Sequence, residues 1–301
     1  MHTFDPMAPH TWAIVLAGGQ GRRLARVTGG VPKQFWRVRG EATLLDHTLD
    51  RLAPFAPPER TVVVVDQTHE PYVRALERLN AHVLYQPTDR GTAAGVLLAM
   101  LPILERDPEA VVVLSPADHA VADFCDFRSG VISAIRLVRR RRSGIVLFGA
   151  EPNGFDGSYG WIRPGRPSRP GWLRAVEGFV EKPGPELATE LMRSHAVWNT
   201  MVLVASATSL LDLFAARQPA LAAALVDAWH APDTSRNSRL AAAYEQLDGF
   251  DFSRDVLTGA EGLTVYTWPA SMGWSDLGTP DRLYAWLEAP ARPDRVRTSA
   301  A

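Results

Sequence analysis

In the segment WAIVLAGGQGRRL (12–24), three glycines and two arginines follow at once on an apolar run. Gly18, Gly19 and Gly21 have no side chains to hold backbone N–H groups away from an anion, and glycine takes positive φ at no steric cost. Arg22 and Arg23 add fixed charge that suits phosphate oxygens. Together they could form a phosphate cradle. From these letters alone, a tight turn with two surface arginines is an equally good reading. Lys33 in VPKQF (31–35) would supply a further cation to the same anion. Spelling excludes two other phosphate loops. No GxxxxGK[ST] string follows, and the GxGxxG dinucleotide pattern fails because Leu24 stands at its third glycine.

A phosphate loop needs a rigid element ending where the loop begins. Residues 13–17, 61–66, 110–115 and 144–150 are short apolar runs rich in valine and isoleucine, which predicts buried parallel strands. Residues 70–80 have helical spacing, with Val73, Leu76 and Leu79 on one stripe, and 92–106 and 127–142 also read as helices. This alternation predicts βαβ units and an α/β sheet covered on both faces. Ligands then sit beyond the carboxyl ends of the strands, where the glycines lie. Residues 151–184 are rich in glycine, proline and aromatics, with alternating runs such as WLRAVEGFVE (172–181), and predict an antiparallel lid. Helical patterns return at 184–194 and 206–246. A late strand is expected at 262–268 and a closing helix at 279–288. Residues 1–10 read as a flexible arm, 11–288 as one domain and 289–301 as a disordered tail. RRRR (139–142) reads as a solvated helix end that suits the helix dipole.

The 301 residues carry a formal net charge of −1, so no general basic field argues for nucleic acid or an anionic membrane. No apolar stretch approaches a spanning length, and the start lacks a signal pattern. The expectation is a cytoplasmic protein with no nucleic-acid or membrane partner. The single cysteine, Cys125, excludes an intrachain disulfide and reads as a small core residue.

AGGQGRRL followed by VPKQF resembles the opening of the sugar-1-phosphate nucleotidylyltransferases, and among them the mannose-1-phosphate guanylyltransferases. Further segments carry the resemblance in order over nearly the whole chain. QPTDRGTAAGVLLA (86–99) is similar to the base-recognition loop and its helix, and VVVLSPADHAV (111–121) to the strand ending in an aspartate–histidine pair. GSYGWI (157–162) is similar to the sugar-side turn, VEGFVEKPG (176–184) to the EKP motif, VWNTMVLVA (197–205) to the WNSG-type segment and GWSDLGT (273–279) to the WSD motif. The resemblance implies a Rossmann-like, GT-A-type nucleotide-diphospho-sugar transferase fold. Its central sheet would be mixed but mostly parallel, with an antiparallel sugar-side lid. It implies Mg²⁺-dependent nucleotidyl transfer from an NTP, GTP above all, to a sugar 1-phosphate, mannose 1-phosphate above all.

The resemblance also implies roles. Arg23 would hold the leaving phosphates and Lys33 the α-phosphate, while Asp118 and Asp276 would be the metal ligands. Ala17, Gly18, Gly19, Gly21, Arg22, Gly91 and Thr92 would border the nucleotide, and Gln86 would read the base edge. Gly160, Glu181, Lys182 and Asn199 would bind the sugar phosphate. Without the resemblance, Asp118 reads as a turn residue, Asp276 as a cap or turn residue, and the EKP pair as a surface ion pair. His119 reads as a packing or hydrogen-bonding residue rather than a base.

Three positions depart from the family pattern. Thr28 stands in a loop where the family commonly has a proline-containing PLS or PLT segment. Met201 stands where the family has a glycine. Ser253, in DFSRDVL (251–257), stands where it has an aspartate, and it reads as a helix N-cap. These departures keep two alternatives open: another sugar 1-phosphate and NTP pair, or a catalytically silent nucleotide-binding regulatory homologue. Family members often form homodimers, but nothing in this sequence fixes the oligomeric state. Because the chain ends soon after the WSD segment, the isomerase-type and β-helical extensions of some relatives are not expected in it.

Overall fold

Alternating side chains of the apolar runs point to opposite faces of one sheet, and each face is buried under helices. In the computed structural model the described residues are 9–38, 42–76, 79–142, 144–166 and 173–288. The strands are β1 (Thr11–Leu16), β2 (Thr61–Asp66), β3 (His82–Gln86), β4 (Val111–Pro116), β5 (Ile145–Ala150), β6 (Gly160–Pro164), β7 (Leu173–Glu181), β8 (Val197–Ser206) and β9 (Thr264–Trp268). The helices are α1 (Ala25–Thr28), α2 (Leu44–Leu52), α3 (Glu70–Arg74), α4 (Gly91–Arg106), α5 (Phe124–Arg141), α6 (Pro185–Arg193), α7 (Ala207–Arg217), α8 (Pro219–Trp229), α9 (Asp233–Gln246) and α10 (Pro280–Glu288).

The sheet runs β3-β2-β1-β4-β8-β5-β9-β7-β6. The first four strands are parallel, and β5 pairs parallel with β9. Strand β8 is antiparallel to both neighbours, β4 and β5, so the sheet is mixed as expected. On one face Ile14, Val62, Val112 and Leu114 pack with α4 and α7–α9. On the other, Ala13, Val15, Val63 and Val113 pack with Phe127, Val131 and Ile135 of α5.

The expected antiparallel region is β6 and β7, and it is continuous with the main sheet. Strand β7 pairs with β9, and β6 pairs with both β7 and β8. These pairings close β8, β5, β9, β7 and β6 into a ring.

Some expectations need correction. The helix predicted over 70–80 ends at Arg74, where the chain tightens into turns from Ala75 N to Tyr72 O and Leu76 N to Val73 O. Leu76 and Leu79 still pack on the expected core, so the stripe is apolar without remaining helical. Cys125 is exposed, because it lies in the first turn of α5, where its N–H donates to the Asp123 cap. Strands β3 and β8 and helix α2 were not anticipated. Residues 1–8 of the expected arm and the expected tail, 289–301, lie outside the described residues.

Candidate active site

The glycine loop leaves β1 at its carboxyl end and is pinned from below. The Gln34 amide donates to the Ala17 and Gly19 carbonyls at 2.7 and 2.9 Å, and Ala17 N–H donates to Val64 O. Gly21 has φ 62°, and a Cβ there would stand 2.9 Å from the Lys33 nitrogen. Gly18 faces the Gln86 amide, which a Cβ would meet at 2.8 Å, whereas Gly19 borders open space. Arg22 and Arg23 are exposed on the short helical turn beyond, with no ion-pair partner among the described residues. The loop is thus a rigid bend with two uncommitted guanidinium groups at its rim. Thr28 turns away from this rim: it is buried, and its hydroxyl donates to Leu24 O.

The base-side segment is built as tightly. Gln86 ends β3, is buried, and lies 3.4 Å from the Tyr244 hydroxyl. Gly91 opens α4 at φ 82°, and a Cβ there would come within 2.2 Å of Phe250 O. Thr92 accepts a hydrogen bond from Phe252 N–H at 2.8 Å, so its hydroxyl braces the 250–252 segment.

Lys33 gathers the acidic residues. It is 6% exposed, and its ammonium pairs with Asp118 Oδ2 at 2.9 Å. The same ammonium donates to the main-chain oxygens of Asp276 and Leu277. Asp118 follows β4, whose loop is held by α2: the Thr48 hydroxyl donates to Ala117 O, and Arg51 donates to His119 O at 3.1 Å. Arg51 is buried beneath this loop against the Phe127 ring, and burial lowers its pKa to about 10. Burial likewise lowers the His119 pKa to about 4, so the imidazole is neutral at pH 7. It packs edge-on to Trp274 at 5.4 Å, as expected of a packing residue.

Asp276 Oδ1 accepts from the Tyr159 hydroxyl at 3.0 Å, from Gly278 N–H at 2.9 Å and from Arg282 at 2.7 Å. Burial alone would raise this carboxyl, but the charged and hydrogen-bonding groups around it hold it below its ordinary value. With His119 neutral, Arg282, Gly278 N–H and Lys33 supply that effect. Arg282 also pairs with Asp156 and lies 4.3 Å over the Tyr159 ring. Each acid therefore keeps one oxygen, Asp118 Oδ1 and Asp276 Oδ2, without a hydrogen-bond partner among the described residues. No cluster of three or more His, Cys, Asp or Glu ligands occurs among the described residues. Two carboxylate oxygens beside a phosphate cradle fit Mg²⁺, a hard cation that keeps most of its positions for phosphate and water.

On the sugar side, Glu181 and Lys182 form an ion pair of 3.0 Å, with Glu181 mostly buried and Lys182 exposed. A Cβ on Gly160 would meet Glu181 Oε2 at 2.5 Å, so glycine makes room for this carboxylate. Asn199 is buried, and its amide donates to Ser253 Oγ at 3.0 Å. Met201 has φ 58° and lies in the irregular stretch of β8 between the Leu147–Leu203 and Gly149–Asn199 pairings. The Ser253 hydroxyl donates to Met201 Sδ at 2.9 Å. Ser253 is not the expected N-cap. Asp251 caps this π-helical turn by accepting from Arg254 N–H, because Ser253 points inward to Asn199 and Met201.

Gln34, Thr48, Arg51, Tyr159 and Arg282 escaped the sequence reading. Gln34 and Tyr159 lie inside recognised motifs, which was the available signal. Thr48, Arg51 and Arg282 sit on helices and carry no local signature.

The glycine loop, the lysine and the two carboxylates thus lie together at the carboxyl ends of the strands of an α/β fold. The chain belongs to the nucleotidyl transferase family, whose pattern matches residues 12–291. It is 30% identical over 277 residues to the xanthan biosynthesis protein XanB of Xanthomonas campestris (strain B100), covering 88% of this chain and 57% of that one. It is 30% identical over 291 residues to mannose-1-phosphate guanylyltransferase of Escherichia coli K12, covering 91% and 59%. The chain thus spans little more than half the length of these relatives. The crystal structure of mannose-1-phosphate geranyltransferase from Thermus thermophilus superposes with a TM-score of 0.79 at 31% identity, covering 89% and 76%. A glucose-1-phosphate thymidylyltransferase structure from Bacillus anthracis shares the fold at a TM-score of 0.57 and 15% identity. No described helix is long and apolar enough to cross a membrane.

Proposed function

We propose that this chain transfers a nucleotidyl group from an NTP to a sugar 1-phosphate, releasing pyrophosphate, with GTP and mannose 1-phosphate as the substrates. The observation that carries the reading is the convergence of Lys33, Asp118 and Asp276 beneath the glycine loop from three distant segments. The names of the E. coli and T. thermophilus relatives support mannose 1-phosphate.

A sugar-phosphate oxygen attacks the α-phosphorus in line. A new P–O bond forms, and the bond to the β-phosphate oxygen breaks, its electron pair leaving with pyrophosphate. An anionic nucleophile needs little base, so the work is positioning and charge neutralisation. Arg22 and Arg23 receive the leaving phosphates at the rim. Lys33 acts in a buried setting, where its charge is weakly screened. Asp118 Oδ1 and Asp276 Oδ2 would hold Mg²⁺, which when bound supplies neutralisation of phosphate charge. Gln86 orients the base. Glu181 and Asn199 accept and donate to sugar hydroxyls, and Lys182 meets the sugar phosphate.

Met201 favours a second reading for the sugar alone. Its side chain occupies a position that a glycine would leave empty, which reshapes the pocket beside Asn199. Pyrophosphate release over a grid of NTPs and sugar 1-phosphates tests both. Strongest turnover with GTP and mannose 1-phosphate is expected, and a different sugar in the strongest cell would support the second reading. A blank grid with nucleotide binding intact would overturn catalysis in favour of the silent regulatory homologue.

A further inference from the structure

The open end of the five-strand ring contains a cavity of about 520 Å³ that the candidate active site does not use. That volume falls within the range of small-molecule sites. Its lining comes from the ends of β5 and β9, the start of β7 and the segment entering β8. Arg174 is the second residue of β7, about 23 Å along the strand from Glu181 at a rise of ~3.3 Å per residue. The cavity therefore lies at the opposite end of that strand from the Glu181–Lys182 pair.

Two buried polar atoms in the lining lack partners among the described residues. The Thr267 side chain is 3% exposed, and its hydroxyl makes no hydrogen bond among the described residues. Arg174 Nε is also buried without a partner among the described residues, and Arg174 forms no ion pair with any of them. Nearly all buried polar groups in folded proteins are paired, so two orphans in one cavity call for a ligand or solvent. Strand register puts them together: Arg174 pairs with Val265, two residues from Thr267 and hence on the same face. Gly149 also lies on this face, because it pairs with Thr267, and a Cβ there would come within 2.2 Å of Val197 Cγ2.

His195 supplies a third polar wall. It has φ 59°, a left-handed conformation that a non-glycine residue holds only when its surroundings enforce it. Here the turn is fixed by His195 N–H donating to Met192 O at 3.2 Å. One acid, Glu151, lines the cavity, but it is exposed and accepts from Ala270 N–H.

We propose that this cavity is a binding site for the phosphate group of a small molecule, separate from the candidate active site. An arginine, a hydroxyl and an imidazole reach it from three elements, groups of the kind that hydrogen-bond phosphate oxygens. The assignment does not depend on the substrates proposed above.

The test uses the full chain with ¹³C-labelled histidine and no divalent metal, titrated with inorganic phosphate. The His195 ring resonance is assigned among the eight histidines by His195→Gln. A saturable shift of that resonance is expected, unchanged in Asp118→Asn, with affinity weakened roughly tenfold or more in Arg174→Gln. Thr267→Val, which keeps the shape, is expected to weaken it less. If Arg174→Gln fails to fold, Arg174→Lys with Thr267→Val carries the comparison. A His195 resonance that does not move overturns the proposal. So does a shift that survives Arg174→Gln and Thr267→Val unchanged, or one that disappears in Asp118→Asn.

Discussion

The nucleotide side and the sugar side of this molecule use glycine differently. On the nucleotide side, two of the glycines that match the family pattern are enforced by backbone geometry. Gly21 and Gly91 have φ of 62° and 82°, and a Cβ on either would collide with main-chain atoms. On the sugar side, a left-handed position is filled by Met201 at φ 58°. Its neighbour Ser253 departs from the pattern too, and the two side chains touch. The difference teaches that a glycine is replaceable when only its φ is demanding and a side chain has somewhere to go. It is not replaceable when backbone stands in the Cβ position.

The largest effect would come from the charges that both sides share. Asp118→Asn and Asp276→Asn are expected to lower turnover by roughly 10²–10³-fold or more while circular dichroism stays native. Near-normal turnover in either would remove the metal assignment.

Gly91→Ala is expected next. Forcing a Cβ against Phe250 O in a left-handed residue should cost about 2–5 kcal/mol and weaken nucleotide binding, read by urea unfolding and nucleotide titration. A stability within error of wild type would break the contrast drawn above.

Met201→Gly sharpens that contrast. It relieves a conformation worth about 1–2 kcal/mol but loses the packing of a half-buried side chain, so the net change in stability should be small. Met201→Ala loses packing without relief and should be the less stable of the two. Discrimination among sugar 1-phosphates should change in Met201→Gly more than discrimination among NTPs, and the substrate grid reads this directly.

The smallest effect concerns acid. Burial would raise the Asp156 carboxyl, but hydrogen bonds from Ser158 and the pair with Arg282 hold it below its ordinary 3.8. A depressed folded value means the contribution is present above 3.8 and is lost as pH falls through the lower folded value. Asp156→Asn should therefore flatten the decline in melting temperature below about pH 4. An unchanged acid limb would show that this pair contributes nothing there.

Much of the fold was legible because buried parallel strands are continuous apolar runs. TVVVVD is β2 to the residue, and the helix opened by Gly91 begins one residue before the expected start. Strand β8 was not legible as a strand, since Asn199 and Thr200 interrupt its apolar pattern at the bulge. The helix over 70–80 was overread because periodicity reports an apolar face, not where the chain must turn to reach β3.

The sequence by itself determined the local chemistry: a glycine bend with adjoining cations, and acids after strand ends. Local spelling suffices there because φ, charge and close backbone approach are properties of single residues. Only the tertiary structure decided that Lys33 binds Asp118 and the Asp276 carbonyl, that Arg51 supports the aspartate loop from beneath, and that Arg282 shares Asp276 with Tyr159. Such contacts join residues far apart in the chain. They depend on how β8 inserts between β4 and β5 and how α10 returns to the sheet edge, and no short stretch of sequence encodes either.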